Sequence, residues 1–149
     1  MMTWFECKVR FDKLQENGSV KKVNEPYLVD ALSFTEAEAR IIEELQPYIS
    51  GDFNIMAVKR TRITEIFRDE TGDKWYQAKL VFEHIDERGN EKKTTTLMLV
   101  QAKDFRTALE NIEEGMKGTM ADYDIVSITE TLIMDVYKAD LNKTATVSK

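Results

Sequence analysis

Phe5, Cys7, Val9 and Phe11 alternate with Trp4, Glu6, Lys8 and Arg10 near the start of the chain. A period of two predicts a strand with one buried and one polar face. Asn17-Gly18 predicts a tight hairpin turn, and a second strand over about 20–30 follows. Ser33-Phe34-Thr35-Glu36 reads as a capping box, with the serine oxygen accepting from the Glu36 amide. Behind it Phe34, Ala37, Ile41, Leu45 and Tyr48 form one apolar stripe at helical spacing, and Pro47 and Gly51 close the helix near residue 50. A long strand over about 53–68 comes next. Its apolar positions change face, from Met56 and Val58 to Ile63 and Phe67, which predicts a bulge between Lys59 and Arg62.

The same pattern then recurs. Residues 4–46 align without a gap on residues 75–117, with fourteen identities in forty-three positions. Trp4 answers Trp75, Lys8 answers Lys79, Gly18 answers Gly89, and Lys21-Lys22 answers Lys92-Lys93. Phe34, Ala37 and Ile41 answer Phe105, Ala108 and Ile112. After a shift of one residue, Asp52-Phe53-Asn54-Ile55 aligns with Asp122-Tyr123-Asp124-Ile125, and Thr61-x-Ile63 with Thr131-x-Ile133. In the second copy Arg88-Gly89-Asn90 supplies the turn. Asp104 caps a helix with the stripe Phe105, Ala108, Ile112 and Met116, which Gly115 and Gly118 shorten, and a last strand runs over about 123–137.

The repeat defines the architecture: an α+β fold built by internal duplication of a ββαβ unit, with antiparallel sheet or sheets, two helices and a pseudo-twofold relation. The first repeat spans about 3–69 and the second about 73–138, within one domain of 1–149. Residues 139–149 are polar and aperiodic and predict a frayed tail. One sheet, two packed sheets and a partly closed barrel all satisfy the pattern. Pairing of each copy's third strand with its first would let the long strands bend and bridge the copies.

Composition narrows the class. Among 149 residues, 42% are hydrophobic and 32% charged, as in ordinary soluble globular chains. No apolar run approaches the ~20 residues that span a bilayer, and the start, Met1-Met2-Thr3-Trp4, lacks a signal peptide's regions. A single cysteine, Cys7, cannot form an internal disulfide, so a reducing cytoplasm is expected. A formal charge of −6 argues against a general polyanion binder while leaving room for a local basic strip.

Catalytic chemistry finds little footing. The one histidine, His84, sits near a hairpin end and reads as a surface residue; Cys7 lies on an inner face and reads as core. Phosphate loop, zinc spacing and nucleophile elbow are missing. Asp52, Asp122 and Asp124 could ligate a metal, but turns and strand starts explain them. No cofactor is expected.

Binding chemistry is better represented. Trp4 with Lys8, and Trp75 with Lys79, fall on the polar face of equivalent strands. Aromatic platforms beside cations suit single-stranded nucleic acid, because every base offers a π-face and every phosphate a charge. Burial of both tryptophans against other parts of the protein is the competing reading. Lys59-Arg60-Thr61-Arg62 is a basic strip in an acidic chain, and its counterpart Thr129-Glu130-Thr131-Leu132 is not basic. Phosphate binding, protection of an edge strand and pairing with Glu130 and its neighbours in another subunit all fit. Lys21-Lys22 and Lys92-Lys93 could hold phosphate or simply solvate their hairpins.

The stretches Trp4-Phe5-Glu6-Cys7-Lys8-Val9-Arg10, Glu25-Pro26-Tyr27-Leu28-Val29-Asp30-Ala31-Leu32-Ser33-Phe34-Thr35-Glu36-Ala37-Glu38-Ala39 and Glu114-Gly115-Met116-Lys117-Gly118-Thr119-Met120-Ala121-Asp122-Tyr123 carry a resemblance over nearly the whole chain. It is similar to an uncharacterised family of small proteins from gut anaerobic bacteria, their mobile elements and phages. The resemblance implies a phage or mobile-element setting and no particular activity. The expectation is a non-enzymatic, self-associating binding protein. Its ligand would be single-stranded nucleic acid or a nucleotide-like anion, held by Trp4, Lys8, Lys59, Arg60, Arg62, Trp75 and Lys79. The alternative is a structural or interaction protein, such as a virion component or host-factor binder.

Overall fold

The structure is a computed structural model that describes residues 2–139. All of the tail predicted over 139–149 except Ala139 lies outside the described residues. In chain order the elements are β1 (Thr3–Leu14), β2 (Val20–Ala31), α1 (Phe34–Leu45), β3 (Phe53–Arg60), β4 (Ile63–Phe67), β5 (Lys74–Ile85), β6 (Glu91–Ala102), α2 (Phe105–Gly115), β7 (Asp122–Glu130) and β8 (Val136–Tyr137). The duplicated ββαβ pattern therefore forms an α+β fold, with two four-stranded sheets: β3-β1-β2-β8 and β4-β6-β5-β7. The β1–β2, β1–β3, β5–β6 and β5–β7 pairs are antiparallel; β8 and β4 join their sheets in parallel.

The described residues divide into two compact units, one holding residues 2–61 together with 133–139, the other Arg62–Leu132. These units cut across the repeats. The long strand predicted over 53–68 is two strands. It breaks at Thr61-Arg62, and β4 then pairs with β6 of the second unit. The strand predicted over 123–137 also breaks, and β8 pairs with β2 of the first unit. The predicted bulge is displaced as well. Lys8 faces Ala57 and Val9 faces Ile55, so the extra residue is Met56; the equivalent shift between Lys79 and Leu80 makes Val126 the extra residue of β7.

Each unit buries the inner face of its sheet under its helix. In the first, Phe5, Cys7, Val9, Tyr27, Val29 and Ala31 meet Ala37, Ile41 and Leu45. In the second, Tyr76, Ala78, Leu80, Met98, Val100 and Ala102 meet Ala108, Ile112 and Met116. Adding 71 to each number of the first set gives the second, so the sequence repeat is a repeat of core positions. Burial of a large aliphatic side chain contributes about 1.5–3 kcal/mol, and Ile41 and Ile112 are each fully buried. The stripes are shorter than predicted. Phe34 and Phe105 open their helices half-exposed, at 49% and 55%, and Tyr48 lies beyond α1 in solvent.

Local chemistry sets the ends of the elements. Ser33 Oγ accepts from the Glu36 amide at 3.1 Å, and Asp104 Oδ1 from the Thr107 amide at 2.8 Å. Hydrogen bonds from Thr107 to the ionised carboxylate hold Asp104 below the usual aspartate range. The hairpins close where Gln15 donates to Ser19 and Asp86 donates to Asn90, at 2.7 and 2.9 Å. At Gly115, the last residue of α2, a Cβ would lie 2.7 Å from the Phe67 ring, so its absence lets β4 approach the helix. Gly72 lets its turn pass against Ala102, whose backbone a Cβ would meet at 2.3 Å.

Candidate binding surface

The outer face of each sheet, opposite its helix, carries most of the candidate residues, and on it Leu28 and Leu99 are fully buried. In the first unit Trp4, Glu6, Lys8 and Arg10 follow one another on the outer face of β1, facing Asp30, Leu28, Pro26 and Asn24 of β2. On the other side Lys59 faces Glu6, and Ala57 faces Lys8. Lys8 and Lys59 are exposed. Neither has an ion-pair partner among the described residues, whereas Lys13 holds Glu25 at 3.1 Å and Arg10 Nε donates to Asn24 at 3.1 Å. Trp4 is half-buried.

Arg60 belongs elsewhere. It faces Phe5, an inner-face residue. Its guanidinium lies 5.6 Å from the Phe5 ring centroid and 5.4 Å from that of Phe34, while the two rings meet edge to face at 5.0 Å. Arg60 is thus an exposed cation laid over aromatic rings at the start of the helix, and not part of the outer face with Lys59. The extra residue Met56 sets this alternation.

In the second unit Trp75, Gln77, Lys79 and Val81 occupy the outer face of β5 beside Gln101, Leu99, Leu97 and Thr95 of β6. Lys79 is exposed and faces Ser127 of β7. Trp75 is only 2% exposed, so it offers no face on which a base could stack. The reading of Trp75 as an open aromatic platform is therefore corrected. The Arg68 guanidinium lies 5.9 Å from its ring centroid. Arg62, exposed, precedes β4 in this unit.

Two polar clasps escaped sequence reading. In the first unit Arg40 Nη1 donates to the Asp30 carbonyl and, at 2.6 Å, to Asp30 Oδ1, which also accepts from the Ala139 amide at 2.7 Å. In the second, Asn111 Nδ2 donates to the Gln101 carbonyl at 3.0 Å, and Gln101 Oε1 accepts from the Asp69 amide at 3.0 Å. Arg40 and Asn111 are counterparts, as are Asp30 and Gln101, and Asp69 and Ala139 after the one-residue shift. Different residue types thus make the same joints, and identity matching overlooks them. The second joint adds Asn111 Nδ2 to Asp69 Oδ2 at 2.9 Å. Asp69 is held below its ordinary range by bonds from Thr71 and Asn111.

Among reactive groups, Cys7 is fully buried, and burial, then Glu6 and Glu38, push its thiol up to about 12. His84 Nε2 lies 2.9 Å from Thr94 Oγ1 at the exposed end of a hairpin. Among the described residues no three His, Cys, Asp or Glu side chains converge as a metal site would require, and no helix is long and apolar enough to cross a membrane.

No curated protein matches the chain in sequence. A family model does, over residues 3–139, nearly the full length, and the chain accordingly belongs to the family described as a domain of unknown function, DUF4494.

Proposed function

We propose that the chain is a non-enzymatic, cytoplasmic binding protein of phage or mobile-element type. Its ligand is single-stranded nucleic acid or a nucleotide-like anion, held on the outer face of the first unit. One observation carries this reading: Lys8 and Lys59 stand exposed on one sheet face, neither in an ion pair among the described residues although Glu6 faces Lys59, beside the half-buried Trp4. Two cations near an aromatic ring suit a phosphate and a stacked base. The buried thiol of Cys7 and the solvent-facing His84 support a role without catalysis.

A second reading, a structural or protein-interaction role, draws on Trp75 and Arg60. With Trp75 buried and Arg60 laid over Phe5 and Phe34, the paired platforms reduce to one. Fluorescence titration with single-stranded DNA, RNA and mononucleotides at two salt concentrations separates the readings. The anion reading expects tryptophan quenching that weakens steeply with salt, and loss of binding in Lys8→Ala and Lys59→Ala. Absence of any response at low salt would leave the interaction role.

A further inference from the structure

Among the described residues four strands, β3, β8, β4 and β7, pair on one side only, and the long ones are β3 and β7. Within that described set β3 pairs only with β1, and β7 only with β5. Such an edge presents a row of backbone donors and acceptors to any strand that can match it. The edges are equivalent in the repeat, and each carries a bulge residue, Met56 or Val126, that is 45% or 57% exposed. Their charges are opposed. β3 contains Lys59 and Arg60 and no acid; β7 contains Asp122, Asp124 and Glu130 and no base. Glu130 lies 3.8 Å from Lys74, but Lys59, Asp122 and Asp124 are exposed without ion-pair partners among the described residues.

We propose that β3 of one copy of this chain pairs antiparallel with β7 of the next, joining copies head to tail. Charge selects the partner: two β3 edges bring cations together and two β7 edges bring acids together, whereas β3 against β7 pairs opposite signs. The side-chain faces also match. Val58 and Ile55 lie on the inner face of β3, opposite Cys7 and Val9, and Ile125 and Ile128 lie on the inner face of β7, opposite Leu80 and Ala78. Setting Val58 against Ile125 and Ile55 against Ile128 keeps all four on the helix side. The same register puts Lys59 opposite Asp124 on the outer side. Because the two surfaces differ, each added copy leaves one basic and one acidic edge, and assembly continues unless it closes on itself.

The proposal needs no ligand, so it is tested without nucleic acid and stands or falls apart from the anion reading. Sedimentation velocity is run on the wild type, on Lys59→Glu/Arg60→Glu and on Asp122→Lys/Asp124→Lys, with circular dichroism as the check on folding. The wild type should associate with rising concentration, at least tenfold more weakly at high salt. Each variant alone should be monomeric, and an equimolar mixture should associate again, since the intact β7 of one meets the intact β3 of the other. If a double variant fails to fold, Lys59→Glu and Asp124→Lys serve as the complementary pair. A wild type that stays monomeric at its highest soluble concentration overturns the proposal. So does an acidic-edge variant that associates like wild type, or a mixture of folded variants that does not associate.

Discussion

Thr61 holds the carbonyl of Trp4 twice, through its amide at 2.9 Å and its hydroxyl at 2.8 Å. Seventy residues later, Thr131 holds the carbonyl of Trp75 in the same way, both bonds at 2.9 Å. In each case the bond falls where the chain leaves its edge strand, and the isoleucine two residues on, Ile63 or Ile133, is buried at 7% exposure. The Thr-x-Ile repeat is therefore a clamp at the point where the chain passes from one sheet to the other. Thr61→Val and Thr131→Val remove one bond each and keep the shape, so each should cost about 0.5–1.5 kcal/mol in denaturant unfolding. A null effect at both sites would show that the amide bond suffices.

The clasps on β2 and β6 predict unequal losses. Arg40→Ala leaves Asp30, which is 6% exposed, without its guanidinium and should cost about 3–5 kcal/mol. Asn111→Ala removes a neutral donor from the equivalent joint and should cost about 1–3 kcal/mol. Urea titration of both variants checks the order, and a larger loss at Asn111 would contradict it.

The repeat, both hairpins, both caps and the inner faces of β1 and β5 were legible in sequence, because each rests on local periodicity or a local hydrogen bond. The strand breaks were not. Both sides of Thr61-Arg62 favour extended backbone, and period alone does not say which sheet the later residues join. Arg60 follows Val58 by two residues onto the inner face, where it lies over Phe5 and Phe34. Trp75 read as an outer-face platform because alternation names a face without revealing what covers it. In the candidate surface, the placement of Lys8 and Lys79 followed from period two, whereas the face of Lys59 depended on strand register, and the loss of Trp75 and Arg60 on tertiary packing.

Ile41 and Ile112 sit at equivalent points of the two helices, each fully buried. Truncation to alanine removes the transfer free energy of the lost carbons and leaves a cavity, at a cost of about 2–5 kcal/mol in each case. Guanidinium unfolding of the two variants should show comparable losses. A loss below about 1 kcal/mol at either would mean that its core collapses around the gap.

Cys7 should be chemically silent. Its thiol is raised from 9.0 to about 12, chiefly by burial, so the folded protein keeps a proton that the unfolded chain gives up. Its contribution to stability is accordingly present below pH 9 and declines as pH rises toward 12. Iodoacetamide at pH 8 should leave the native protein unmodified and alkylate it once urea unfolds it. Rapid native labelling would place the thiol in contact with solvent.

The two tryptophans should report different surroundings despite their shared place in the repeat. Trp75 is 2% exposed and Trp4 half-buried. In Trp4→Phe the remaining Trp75 should emit at shorter wavelength and resist acrylamide. In Trp75→Phe the remaining Trp4 should be quenched several-fold more strongly. The same variants locate any nucleic-acid response. Stacking on Trp4 predicts that Trp75→Phe retains oligonucleotide quenching, and that Trp4→Phe loses it together with about 1–3 kcal/mol of binding. Quenching that persists in Trp4→Phe would mean that the ligand opens the site around Trp75, and would move the binding surface to the second unit, beside Lys79.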